Sequence, residues 1–216
     1  MSELASSLPN RFPVFPLRGA MLLPGGNLPL NIFEPRYLQM VRDAMQTDRV
    51  IGMIQPKGEG GEQGQAPELY RTGCVGRITN FSETGDGRFL ITLTGVCRFD
   101  VAEELEVPTL YRQVVGDFAR WRQDLQPPPP PAELKASLTA VLKAYFDRHG
   151  IEADWGAIEG APLTGLVTSL CMICPFEPEE KQALLEAGDS GRQARFLIAL
   201  MEMETRAEPG ASNARH

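Results

Sequence analysis

The side chains able to do chemistry are few. His149 and His216 are the two histidines. His149 precedes Gly150 at the expected end of a helix, where a partly charged imidazole complements the helix dipole. His216 is the final residue, in a segment (207–216) expected to be a disordered tail. A Ser–His or Cys–His nucleophile system would rest on one histidine, and no G-x-S-x-G elbow accompanies it. Cys171 and Cys174 have C-x-x-C spacing, yet a structural zinc site pairs two such knuckles and the sequence has one. Cys74 and Cys97 would complete a tetrahedron only if the fold brought them in. On an apolar helix pattern, Cys171 and Cys174 read as small core residues. The neighbours Glu103-Glu104 and Glu179-Glu180 point to different faces of any regular element and form no acid/base couple. Lys57 stands before the glycines of its loop, the reverse of a phosphate cradle. The expectation is therefore no catalytic residue, no cofactor site and no metal site.

The composition narrows the class further. A chain of 216 residues with 43% hydrophobic and 23% charged residues is ordinary for a globular protein. At that length folding removes roughly 70% of the unfolded surface from water, so no disulfide or metal staple is required. With 21 basic against 28 acidic residues the net charge is −7, the wrong sign for a protein whose affinity comes from phosphate contacts or from anionic lipid. No apolar run approaches the ~20 residues that cross a bilayer, and the opening MSELASSLPNRF lacks the flank and apolar stretch of an export signal. A cytoplasmic protein with no membrane partner is expected, and nucleic acid is disfavoured as a partner.

The elements that would position any site fall into two halves. Prolines 13, 16, 24 and 29 forbid a long helix at the start, so short extended pieces are expected, with a turn at Pro24-Gly25-Gly26. Pro35 suits the first turn of a helix whose stripe is Tyr37, Met40, Val41, Ala44 and Met45, and Val50 to Ile54 reads as a buried strand. Residues 56–67 are Gly-rich and aperiodic, a mobile surface loop. Strands follow at Tyr70 to Phe81, Arg88 to Val101 and Tyr111 to Phe118, with Phe89, Ile91 and Leu93 alternating against Arg88, Leu90 and Thr92. They suggest a meander of short antiparallel strands, open or closed into a barrel. Five prolines at 127–131 predict a stiff extended spacer. Beyond it the periodicity is helical: Ala132 to Arg148, Leu163 to Cys174, Pro178 to about Gly188, and a last helix from Ser190 with Gln193 as its capping-box partner. The fold class is α+β, with a β-rich lobe at 10–120, a Pro-rich linker at 121–131 and a helical bundle at 132–206.

One segment is specific. LLPG (Leu22 to Gly25), LPL (Leu28 to Leu30) and IFEPRY (Ile32 to Tyr37) occur in order between Phe12 and Met45, followed by YRTGCVGRITNF (Tyr70 to Phe81), GVCRF (Gly95 to Phe99) and EKQALLEAGDSGRQARFL (Glu180 to Leu197). Together they resemble the N-terminal substrate-recognition domain of the Lon family of ATP-dependent proteases. The resemblance implies a PUA-like pseudo-barrel followed by a helical bundle, and a non-enzymatic module that binds unfolded or tagged protein segments, without an ATPase or a Ser–Lys peptidase. RNA binding through the PUA-like lobe is the alternative, and a homodimer is left open. In the signature Ile32, Phe33, Glu34, Pro35, Arg36 and Tyr37 are expected to support folding, with Phe33 and Tyr37 as core anchors and Arg36 either paired to a carboxylate or capping carbonyls of the sheet. Met21, Leu22, Leu23 and Pro24 are the candidate peptide-binding residues, an apolar tip rimmed by glycine; the competing reading places them in a core strand.

Overall fold

The computed structural model describes residues 8–58 and 66–206. Its order is β1 (Arg11–Pro16), β2 (Asn27–Ile32), α1 (Pro35–Met45), β3 (Val50–Ile54), β4 (Thr72–Glu83), β5 (Phe89–Leu105), β6 (Gln113–Asp117), a 3-10 helix (Ala119–Leu125), then α2 (Leu134–His149), α3 (Trp155–Gly160), α4 (Leu163–Ile173), α5 (Pro178–Glu186) and α6 (Ser190–Arg206). The α+β class holds. The chain forms two compact units. The first takes the described residues up to Pro127 together with Cys171–Glu186; the second takes Pro128–Leu170 and the described residues from Ala187 onward.

In the first unit six strands lie in the order β2-β5-β4-β3-β1-β6, and β6 also pairs with β5. Strands β1, β3, β4, β5 and β6 therefore close on themselves as a small barrel, which removes their free edges. The expected meander is corrected in one respect. β1 and β3 run parallel, Val14 beside Gly52 and Phe15 beside Met53, with α1 in the crossover between them, as parallel strands require. β5 is long enough to serve several neighbours: its first half pairs with β2 and its segment from Asp100 to Leu105 with β6. Bulges in β4 and β5 supply the bend.

The barrel is narrow, so its filling depends on where side chains are missing. Phe12 and Phe99 meet edge to face at 4.9 Å between centroids and fill the centre with Val14, Val50, Ile54, Val75 and Val114. Gly52, Gly73 and Gly116, on three different strands, face these two rings: an added Cβ would stand 2.9, 2.7 and 2.6 Å from the nearest ring atom. The glycines are the space that the rings occupy. A second glycine pair, Gly76 and Gly95, makes room for the segment before β2. Leu22 packs over both, while the Gly25 N–H donates to the Gly95 carbonyl at 2.9 Å and the Gly95 N–H to the Gly26 carbonyl at 2.8 Å.

Three expectations change here. The linker at 121–131 begins later than expected, because Ala119–Leu125 forms a 3-10 helix whose Trp121 is fully buried. The helices after the prolines are not one bundle: α5 belongs to the barrel unit. Gln55 Nε2 donates to the Pro178 carbonyl at 2.8 Å, Lys181 Nζ to the Gly19 carbonyl at 2.8 Å, and Gln182 Nε2 to the Thr72 carbonyl at 3.1 Å. The last helix is capped by Asp189, whose carboxylate accepts from the Arg192 N–H at 2.8 Å; the Ser190 hydroxyl donates instead to the Pro128 carbonyl. In the second unit α2 pairs with α6 around Leu138, Leu142, Tyr145, Leu197 and Met201, and α3, unforeseen, starts with the Asp154 carboxylate accepting from the Ala157 N–H. Most of the loop at 56–67 and the whole of the tail at 207–216 lie outside the described residues.

Candidate functional site

The predicted peptide-binding tip does not stand on the surface. Met21, Leu22 and Leu23 are 3%, 1% and 1% exposed, drawn inward by the gap over Gly76 and Gly95, and Pro24 is half-buried. The signature divides between core and surface. Ile32 and Tyr37 are buried and Glu34 is half-buried, whereas Pro35 and Arg36 are exposed. Phe33 is 61% exposed, which corrects its role as a core anchor. It follows Ile32 at the end of β2, and strand alternation turns it away from the face that Ile32 buries. Its ring lies 5.9 Å from the Arg88 guanidinium.

Among the described residues the reactive side-chain types gather into no site. His149 approaches Glu204 at 3.4 Å and stacks on Tyr145. All four cysteines are buried and unpaired as disulfides; burial pushes the Cys97 thiol up to about 12 and raises Cys74 and Cys171 as well. A thiol held protonated is a poor nucleophile and a poor metal ligand. Among the described residues no group of three or more His, Cys, Asp or Glu is arranged to hold a metal ion. The acidic neighbours are spoken for separately: Glu104 pairs with Arg112, Glu179 with Arg18, and Glu180 accepts from the Glu177 N–H.

What the barrel unit does present is a cleft of about 380 Å³ beside the start of α1. Pro35 opens that helix with its pre-set φ, so the next two signature residues, Arg36 and Tyr37, both line the cleft. Opposite them stand Leu110, Tyr111 and Arg112, from the loop into β6, and Pro16, Pro56 and Pro67 complete the walls. Tyr37 rests on Phe15 at 4.1 Å and carries the Arg36 guanidinium 4.5 Å above its ring; Arg36 in turn bonds Glu34 through Nε at 2.9 Å. The Tyr111 hydroxyl donates to Asp43 at 2.8 Å. Burial first, and then that hydrogen bond, push its phenol up to about 12; burial also raises Tyr37. Both rings are neutral walls at physiological pH. Arg112 ties the loop down by donating to the Pro67 carbonyl at 2.7 Å and pairing with Glu104. Leu110, at the rim, is 67% exposed.

Such a cleft offers aromatic and proline walls, one large apolar side chain waiting for a cover, and guanidinium groups at the edge. It is suited to holding a side chain and its flanking backbone, and among the described residues no nucleophile or proton-transfer pair lines it. Sequence reasoning passed over Leu110 to Arg112. Their signal is slight: an apolar residue directly after the Pro108-Thr109 turn, where solvent exposure is the default.

Residues 11–203 match the family model of the ATP-dependent protease La (LON) substrate-binding domain. The chain is 32% identical over 198 residues to Lon protease 2 of Myxococcus xanthus, covering 90% of this chain and 24% of that one. It is 26% identical to a Lon protease of Parabacteroides distasonis, with 89% and 24% covered. The chain thus spans about a quarter of the length of these relatives. A Lon N-terminal domain protein from Xanthomonas campestris superposes with a TM-score of 0.63 at 22% identity, covering 88% of this chain and 97% of that one. The N-terminal domain of a Mycobacterium avium complex Lon protease does so at 0.62 and 16%, with 89% and 98% covered. A cleft flanked by the IFEPRY residues, on a closed barrel completed by a later helix, is therefore set in a shared framework: the chain belongs to the Lon substrate-binding domain family.

Proposed function

We propose that this chain is a recognition module for unfolded or tagged protein segments, that it performs no chemistry itself, and that the cleft beside α1 is where it holds them. The observation that carries the reading is the exposed Leu110 at the mouth of a pocket walled by Tyr37, Tyr111 and three prolines. An apolar rim over aromatic walls gains free energy by covering a partner's side chain, about 25 cal/mol for each Å² of apolar surface removed from water. The family supports a substrate-recognition role in general terms. RNA binding draws no such support, and the net charge of −7 opposes it.

The test is fluorescence anisotropy with labelled, reduced and carboxymethylated α-lactalbumin, a permanently unfolded protein. Binding at tens of micromolar, roughly −6 kcal/mol, is expected, with native α-lactalbumin silent. Leu110→Asp should raise Kd about tenfold by placing a charge where an apolar contact forms. Absence of binding, or a Kd indifferent to Leu110→Asp, refutes the assignment.

A further inference from the structure

The cleft beside α1 holds a hydroxyl that the protein leaves without a partner. Tyr37 is 6% exposed. Its ring packs on Phe15 and under Arg36, yet its hydroxyl has no hydrogen-bond partner among the described residues and is not sealed from water. A phenol buried this far ordinarily bonds within the protein; here it is left to whatever fills the cleft that the residue lines. Tyr111, across the cleft, shows the ordinary arrangement, its hydroxyl donating to Asp43 at 2.8 Å.

The neighbouring guanidinium is also only partly used. Arg36 turns Nε and Nη2 to Glu34 Oε2, at 2.9 and 2.8 Å, and its Nη1 has no partner among the described residues. Arg112 is fully committed, two nitrogens to Glu104 and the third to the Pro67 carbonyl. Arg36 and Arg112 are the charged residues that line the cleft, and among the described residues no Asp or Glu lines it, in a chain of net −7. Glu34, Asp43 and Glu104 stand nearby, already paired to Arg36, Tyr111 and Arg112, and none of them belongs to the lining. The unused side-chain groups of the lining are thus a guanidinium edge and a phenol, two donors suited to a carboxylate.

We propose that the cleft takes the C-terminal end of a polypeptide, with the terminal carboxylate on the Tyr37 hydroxyl and Arg36 Nη1 and an apolar last side chain against Leu110 and Tyr111. It rests on the protein-recognition reading of this same cleft and names the substrate class. The two donors stand on α1, and the apolar wall faces them from the loop into β6. One residue of the ligand must therefore offer a carboxylate and an apolar side chain together, and only the last residue of a chain carries both. An Asp or Glu within a chain would bring its charge on the very side chain that has to cover Leu110. A volume of about 380 Å³ lies near the small end of ligand pockets, which suits a chain end. Capture of a terminal carboxylate is a recurring mode of peptide recognition.

The probes are three N-terminally dansylated heptapeptides titrated against the full chain: Gly-Ser-Gly-Thr-Ala-Val-Leu as the free acid, the same sequence as its C-terminal amide, and an amide with Glu in place of Ala. The acid should bind about tenfold more tightly than either amide, the order of one charge-assisted hydrogen bond. Tyr37→Phe, which removes one oxygen and keeps the ring on Phe15, should cost the acid about tenfold and the plain amide less than about threefold. Arg36→Gln, at an exposed position, should act the same way with an unchanged melting curve. Leu110→Asp should weaken all three peptides. Equal affinity for acid and plain amide, or a preference for the acid that survives both Tyr37→Phe and Arg36→Gln, overturns the carboxylate site and leaves the recognition reading in place. A Glu-containing amide as tight as the acid overturns the chain end as the source of the carboxylate. If unfolded lactalbumin binds and no heptapeptide does, the chain-end proposal falls alone; if nothing binds, the recognition reading falls with it.

Discussion

Arg98 and Asp124 form a two-pronged, fully buried ion pair: Nε reaches Oδ2 at 2.8 Å and Nη2 reaches Oδ1 at 2.6 Å. The Arg98 backbone N–H donates to the same carboxylate at 2.9 Å, and Nη1 donates to the Leu185 carbonyl at 2.9 Å. The guanidinium plane lies 4.0 Å from the centre of the Trp121 ring, whose indole N–H donates to Asp100 at 3.0 Å. One arginine in the GVCRF run thus joins β5, the 3-10 helix and α5.

Breaking this pair leaves a charge in the interior. Arg98→Met or Asp124→Leu alone should cost about 3–5 kcal/mol, because the surviving partner keeps its desolvation penalty. The double substitution should recover a large part of the loss. Urea denaturation of the three variants measures both effects, and additive single losses in the double variant would contradict it.

The polar ties from α5 to the barrel predict the outcome of truncation. A fragment ending at Pro127 keeps all six strands but lacks the acceptors at Leu185 and Pro178 and the donors of Lys181 and Gln182. It should show no cooperative unfolding transition and no ordered near-UV signal from Trp121. A fragment with both would show that α5 is dispensable.

Among the three glycines that face Phe12 and Phe99, overfilling should be costliest at Gly73. A Cβ on Gly73 would stand 2.6 Å from the Met53 carbonyl oxygen as well as 2.7 Å from Phe99, and a backbone atom cannot rotate away. Gly73→Ala should destabilise by about 1–3 kcal/mol, and Phe99→Leu should fail to relieve it. At Gly116, where the close contacts are with the rings of Phe12 and Phe99, a smaller residue at 12 should rescue Gly116→Ala. Thermal melts of the four variants distinguish the cases.

Alkaline pH should unfold the protein through its thiols. Cys97 is raised to about 12 from 9.0 in the folded state, by burial above all, and Cys74 and Cys171 shift the same way. The folded chain therefore holds protons that the unfolded chain has released. Stability is complete below pH about 9 and falls as pH rises toward about 12. Tyr111, also near 12, adds to the decline above its ordinary value of 10.0. Urea midpoints at pH 8 and pH 10.5 should differ, and Cys97→Ala should flatten the slope. At pH 8 Ellman's reagent should react only under denaturing conditions; four prompt thiols in the native state would overturn the assignment.

Local chemistry announced much of this fold. Pro35 marked the start of α1, the alternation of Phe89, Ile91 and Leu93 marked the inner face of β5, and the IFEPRY run pointed to the family. Each is written in neighbouring residues and needs no distant partner. Arg98 was not legible as a keystone, because its acceptors lie 26 and 87 positions away. The Leu22-Leu23 tip read as exposed because nothing nearby shows that Gly76 and Gly95 leave a gap to receive it. Phe33 read as core because aromatic residues usually are, whereas its position one residue past Ile32 turns it outward.

The sequence alone determined the types of most elements and the α+β class, since these follow from periodicity and backbone restriction. Only the tertiary structure decided the parallel pairing of β1 with β3, the return of α5 to the barrel and which apolar residues face water. Those outcomes depend on contacts between segments far apart in the chain, where register and the fit of ring against glycine set the energy, and neither is encoded in any one stretch.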